Sequence, residues 1–169
     1  AYLCAQKNIG KNIKSFDKRI KKKLPKISNI KNVNWQNVDL LFLSLPNGEA
    51  QKMIKQLFIY QHLKFIDLSA DFRINDSNRY KSWYSINHNA KELIDKSIYS
   101  IPEFTKNSIK KFRIIANPGC YPTSIQLALV PLLKHSLLKT NNITIDSKSG
   151  YSGAGKNYKL KFSHKNFYN

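Results

Sequence analysis

Apolar and polar positions divide the chain into unequal stretches. Residues 1–37 are polar and lysine-rich, with apolar positions recurring only weakly at Ile9, Ile13, Phe16 and Ile20, which predicts loop and a short helix. The pattern changes at residues 38–45. Val-Asp-Leu-Leu-Phe-Leu-Ser-Leu is a near-continuous apolar run ended by Pro46, as expected of a strand buried on both faces. Pro46-Asn47-Gly48 breaks the run, and residues 49–60 carry helical spacing through Ala50, Met53, Ile54 and Leu57. Residues 65–68 read as a second short strand. Strand, helix, strand within about thirty residues is a βαβ unit, whose strands are expected to be parallel with a right-handed crossover.

Residues 70–113 read as irregular structure and short helices decorating the sheet, and residues 111–116 supply a further strand. That strand runs into the turn Asn117-Pro118-Gly119. Residues 121–138 have the apolar density of a buried helix, with Pro122 acceptable in its first turn. Residues 143–146 predict another strand, leading into a glycine-rich loop at residues 149–155; residues 156–169 carry no clear element. The class is α/β.

Composition narrows the field. A chain of 169 residues that is 41% hydrophobic and 12% aromatic suits one domain or parts of two. No apolar run approaches the roughly 18 residues of a membrane span, and no basic segment followed by an apolar one marks a signal peptide. Cys4 and Cys120 are too few for a disulfide scaffold, so the expected compartment is the reducing cytoplasm. The formal net charge of +19 raises the alternative of a nucleic-acid-binding module. Yet 25 of the 29 basic residues are lysine, whereas base and phosphate readers favour the planar fork of arginine. Lys, Asn and Ile, which share A/T-rich codons, make up 62 of the 169 residues, so base composition accounts for the excess. Only residues 18–23 cluster basic side chains, and they read as one solvated segment. Neither a nucleic-acid nor a membrane partner is expected.

Three constellations could carry chemistry. Cys120 follows a strand and Pro118-Gly119 and immediately precedes a helix. A helix start presents unpaired N–H groups and about half a positive charge, which favours a thiolate nucleophile; the alternative is an inert, buried thiol. Cys4 has no such context and reads as structural. Ser149-Gly150-Tyr151-Ser152-Gly153-Ala154-Gly155-Lys156 lets backbone approach a ligand closely, although its spacing is not that of a P-loop and a plain turn would also use it. Asp67-Leu68-Ser69-Ala70-Asp71-Phe72-Arg73 puts polar groups at the carboxyl end of a strand, where open α/β sheets bind ligands, or else forms a charge-paired loop. His62, His88, His135 and His164 show no metal spacing, so no metal site is expected.

These segments, in this order, resemble the N-acetyl-gamma-glutamyl-phosphate reductase family. The resemblance rests on Leu43-Ser44-Leu45-Pro46-Asn47-Gly48, on residues 66–73 with Tyr80, Trp83 and Tyr84, on residues 115–123 around Cys120, and on residues 148–156. It is close from about residue 38 to residue 156 and loose before that. Histidine is more usual at Asn47, and Gly or Ala at Ser124. The resemblance implies part of a Rossmann-like NADP-binding domain at residues 1–117, followed by the start of an α+β catalytic and dimerisation domain at residues 118–169. Cys120 would be the nucleophile toward an acyl phosphate, and NADPH the reductant. Pro46, Ser149, Gly150, Gly153, Ala154 and Gly155 would lie against the cofactor, and the whole enzyme would be a homo-oligomer. The family's first βα turn and its His-Arg-His segment have no counterpart here, so an internal fragment, poorly active alone, is expected. Sister acyl-phosphate reductases, of the lysine pathway or the aspartate-semialdehyde dehydrogenase type, are the nearest alternatives. The Ser-Ala-Asp-Phe-Arg stretch and Tyr-Pro-Thr after Cys120 argue against the latter only.

Overall fold

A computed structural model describes residues 1–150 and Gly153. Near the N-terminus, β1 (Leu3–Cys4) and β2 (Ile27–Ser28) form a small parallel pair. The helix expected before residue 37 is replaced by three 3-10 turns. Asn12, Asn29 and Asn34 each cap one, their side chains accepting the N–H two residues on. An Asx cap starts a turn, but a helix grows from it only where a continuous apolar stripe can be buried, and this segment has none.

The main sheet follows. In chain order come β3 (Leu40–Leu43), α1 (Glu49–Leu57), β4 (Lys64–Asp67), α2 (Ser77–Tyr84), β5 (Ser97–Tyr99), α3 (Pro102–Thr105), β6 (Ile114–Ala116) and α4 (Cys120–Lys134). The strands align in the order β3-β4-β6-β5, all parallel, with Leu41 opposite Phe65 and Phe65 opposite Ile114. The βαβ unit is therefore present with parallel strands. β5 is an addition: Ser97-Ile98-Tyr99 is too short and too mixed to stand out from the sequence.

Alternation along the strands sorts the sheet into two faces. Leu43, Phe65, Ile114 and Ala116 lie on one and are buried beneath Ala50, Ile54 and Leu57 of α1, whose spacing puts all three on one side of the helix. Leu63, Phe72, Ala90 and Leu93 complete this core. The opposite face carries Leu40 and Phe42, and Phe42 is 61% exposed. The expectation of a strand buried on both faces is thus corrected. β3 lies at the edge of the described sheet, and only its Leu41–Leu43 side meets a layer of packing.

Two later expectations also change. α4 spans Cys120–Lys134, shorter than expected, and none of its residues is buried. Residues 143–146 are not a strand: among the described residues they have no ladder partner, and Ile143 and Ile145 are exposed. Most of the glycine-rich loop, including Ala154 and Gly155, lies outside the described residues, as does His164.

Candidate active site

Because all four strands are parallel, their carboxyl ends share one edge of the sheet. The turns after β3, β4 and β6 stand side by side there, about 10 Å from first to last at ordinary strand spacing. These turns contain residues 46–48, 68–73 and 117–119, so the topology brings together three segments that are distant in the chain.

Cys120 opens α4 and is exposed, with Gly119 as the capping residue in extended conformation. Thr123 closes the first turn, its N–H donating to the Gly119 carbonyl at 3.0 Å and its hydroxyl to the same oxygen at 2.8 Å. The N–H groups of Cys120 and Tyr121 have no acceptor among the described residues, as the first positions of a helix require unless a ligand is present. Two donors thus stand beside the thiol.

Arg73 reaches the same loop from the neighbouring turn. Its Nε donates to the Asn117 carbonyl at 2.8 Å and its Nη2 to the Leu68 carbonyl at 2.9 Å. Nη1 has no acceptor among the described residues and would lie 3.4 Å from a Cβ at Gly119, the residue before Cys120. A guanidinium is fixed at two corners, with its third nitrogen beside the thiol loop.

The turn at residues 46–48 is held differently. Asp71, fully buried, accepts the Gly48 N–H on both carboxylate oxygens at 2.8 and 2.9 Å, and the Gln51 N–H at 3.0 Å. It thereby caps α1 from 20 or more residues away, at a start where Gly48 has φ +88°. Tyr80, also fully buried, donates its hydroxyl to Asp71 at 2.6 Å and accepts from Gln51 Nε2 at 3.2 Å. Burial, followed by the Asp71 carboxylate, pushes the Tyr80 phenol above its ordinary value. His88 donates from Nε2 to the Asp71 carbonyl at 2.9 Å, because its Nδ1 accepts the Ala90 N–H at 3.2 Å. That pattern makes the ring neutral, and burial lowers its pKa. Pro46 and Asn47 remain exposed, and the Asn47 N–H has no acceptor among the described residues.

Asp67 braces the middle turn. Its Oδ1 accepts the Ser69 N–H at 2.9 Å, while its buried Oδ2 has no partner among the described residues. Burial pushes this carboxyl up.

Of the residues named from sequence, Cys120 and Pro46 stand at this edge. Ser149, Gly150 and Gly153 are exposed, and a hydrogen bond from the Gly153 N–H to the Gly150 carbonyl at 2.8 Å closes their turn. The segment 67–73 proves to be more than a charge-paired loop. Its two key side chains bind backbone of other turns, and no spacing rule in one sequence links Asp71 to Gly48 or Arg73 to Asn117. Among the described residues no three metal-ligating side chains gather.

The family model described as semialdehyde dehydrogenase, NAD binding domain, matches residues 1–112, and that described as semialdehyde dehydrogenase, dimerisation domain, matches residues 120–169. A probable chloroplastic N-acetyl-gamma-glutamyl-phosphate reductase of Oryza sativa subsp. japonica is 47% identical over 158 residues, covering 93% of this chain and 38% of the relative. The N-acetyl-gamma-glutamyl-phosphate reductase of Ehrlichia canis (strain Jake) is 42% identical over 160 residues, covering 94% of this chain and 45% of its own. The chain therefore spans about two fifths of the length of such relatives. Among solved structures, aspartate semialdehyde dehydrogenase II from Vibrio cholerae, complexed with ASA, aligns with TM-score 0.60 at 19% identity, over 93% of this chain and 40% of that one. At that identity the likeness establishes the fold alone, α/β and Rossmann-like.

Proposed function

The chain belongs to the semialdehyde dehydrogenase family, and from that premise we propose that it contributes the nucleophile and part of the nucleotide site of an N-acetyl-gamma-glutamyl-phosphate reductase. The observation that carries this reading is the exposed Cys120 at the start of α4, with the free Nη1 of Arg73 beside its loop. A sulfur nucleophile, two free amides and a guanidinium corner suit an acyl phosphate, which has an electrophilic carbonyl and an anionic leaving group.

In this reading the Cys120 sulfur attacks the acyl carbon, the carbon–oxygen bond to phosphate breaks, and a thioester remains. The N–H groups of Cys120 and Tyr121 stabilise the oxyanion as it forms, and Arg73 Nη1 receives the departing phosphate. A reduced nicotinamide dinucleotide, when bound, supplies the hydride that turns the acyl group into the semialdehyde. We take NADPH rather than NADH by the resemblance of the motifs. The acid/base histidine is expected from the His-Arg-His segment of the family, which none of His62, His88, His135 and His164 matches.

The residues present fit one part of such a dinucleotide. At the start of α1 the Gly48 and Gln51 amides already donate to Asp71 and the Glu49 amide to the Pro46 carbonyl, so a carboxylate stands where another anion would bind. The exposed Pro46-Asn47 turn offers an apolar ring and a free N–H, suited to the uncharged nicotinamide and its ribose. Ser149, Gly150, Gly153, Ala154 and Gly155 are the proposed second contact.

The division into residues 1–117 and 118–169 is supported by family models over residues 1–112 and 120–169. The dimerisation-domain match supports a homo-oligomer. No helix among the described residues is long and apolar enough to cross a membrane, and two free cysteines suit a reducing compartment, which we take to be the cytoplasm. The test is Cys120→Ser in the full-length protein. It should abolish NADPH-dependent reduction of N-acetyl-glutamyl phosphate and leave nucleotide binding intact. Activity within about tenfold of wild type would refute the assignment.

A further inference from the structure

Residues 67–73 touch both sides of the candidate site through different side chains. The segment is stiffened from within, because Asp67 accepts the Ser69 N–H at 2.9 Å and the Ser69 hydroxyl accepts the Asp71 N–H at 3.1 Å. From this brace Asp71 holds the turn after β3, while Arg73 holds the turn after β6. The two attachments share no atom, so one can be loosened without the other.

The Asp71 attachment depends on a third residue. Oδ1 accepts from both the Gly48 N–H and the Tyr80 hydroxyl, and Oδ2 from the Gly48 and Gln51 N–H groups. Tyr80 is fixed in turn by Gln51 Nε2 and by edge contact with the His88 ring, 5.0 Å between centroids. Without the Tyr80 hydroxyl the carboxylate loses the shortest of these bonds and the Gln51 amide loses its acceptor inside the core. The turn at residues 46–48 would then be held by a carboxylate free to rotate and by the longer bond from the Ala70 N–H to Asn47 Oδ1, 3.3 Å. Gly48, at φ +88°, adds no restraint of its own.

Resting on the functional reading above, we infer that Tyr80, acting through Asp71, is a positioning residue for nicotinamide-dinucleotide binding at the Pro46-Asn47 turn, and that Arg73 sets the Cys120 loop independently. Tyr80 touches neither the nucleotide nor the thiol. It determines where the turn stands and how narrowly.

The experiment compares wild-type full-length protein with Tyr80→Phe, which keeps the ring in the core. Gln51→Met serves as a second variant at similar volume, removing the other bond to the Tyr80 hydroxyl together with the acceptor of the Asn89 N–H. NADPH is titrated by fluorescence at a temperature where circular dichroism shows each protein folded, and Cys120 labelling by uncharged iodoacetamide is timed in parallel. The expected result is a nucleotide Kd raised about tenfold in Tyr80→Phe, the scale of one hydrogen bond to a charged acceptor. Gln51→Met should shift Kd in the same direction, and labelling of Cys120 should stay within about twofold, since the Arg73 attachment is untouched. A folded variant with lowered melting temperature and unchanged Kd would reduce Tyr80 to a core residue and overturn the inference. So would labelling that changes as much as Kd. Wild-type protein that binds no NADPH would overturn the functional reading, and this inference with it.

Discussion

At Arg73, two guanidinium nitrogens hold backbone carbonyls and the third is left beside the loop that carries the thiol. A lysine has one ammonium and cannot satisfy both carbonyls while leaving a donor free. Arg73→Lys should therefore lower kcat/KM for the acyl phosphate by about a hundredfold, with NADPH affinity unchanged, as initial rates and titration would measure. A loss spread equally over both ligands would contradict that division. His88 gives a prediction in pH. Burial lowers its folded pKa, so below the ordinary value near 6.5 the unfolded chain binds a proton that the folded chain does not. Stability should fall as pH drops from about 6.5 toward that lowered value, visible as a urea midpoint that falls below about pH 6.5. The raised Asp67 carboxyl acts with the opposite sign at lower pH, because there the folded chain holds the extra proton. His88→Asn should flatten the slope near pH 6. The place of Cys120 at a helix start was legible from sequence because strand, turn and helix start are local; the partners of Arg73 and Asp71 lie 44 and 23 residues away and were not.

At the scale of elements, α1 and the strands flanking it were legible because a fully buried core leaves a periodic imprint. Ile54 lies in the middle of that core, and Ile54→Ala should cost about 2–5 kcal/mol, measured by urea unfolding. The strand expected at residues 143–146 failed for the opposite reason: β-branched alternation marks a segment able to pair, not one that has a partner. α4 kept its place and its cysteine, while its apolar surface is left uncovered by the described residues. At the turn that launches α4, a methyl group at Gly119 would stand in ordinary contact with Arg73 Nη1, at 3.4 Å, and with Pro122, at 3.7 Å. Gly119→Ala should consequently slow the reaction by covering Nη1 with a methyl group rather than by displacing Arg73, with melting temperature little changed because its φ of −74° suits any residue. Rates equal to wild type would show that Nη1 is not used.

Across the whole molecule, the sequence carried the α/β class and the parallel βαβ unit, but the edge position of β3 was invisible in a run of eight mostly apolar residues. The net charge of +19 comes mostly from lysine, and within the one basic cluster Arg19 pairs with Asp17 at 2.7 Å. The role of the Cys120 thiol can be measured without nucleotide. Full-length protein mixed with N-acetyl-glutamyl phosphate, with no NADPH present, should release a burst of phosphate equal to the protein concentration. Mass spectrometry should then find the N-acetyl-glutamyl group on the peptide containing Cys120, and neither signal should occur in Cys120→Ser. Phosphate released without an adduct on Cys120, or an adduct on Cys4 instead, would contradict the assignment.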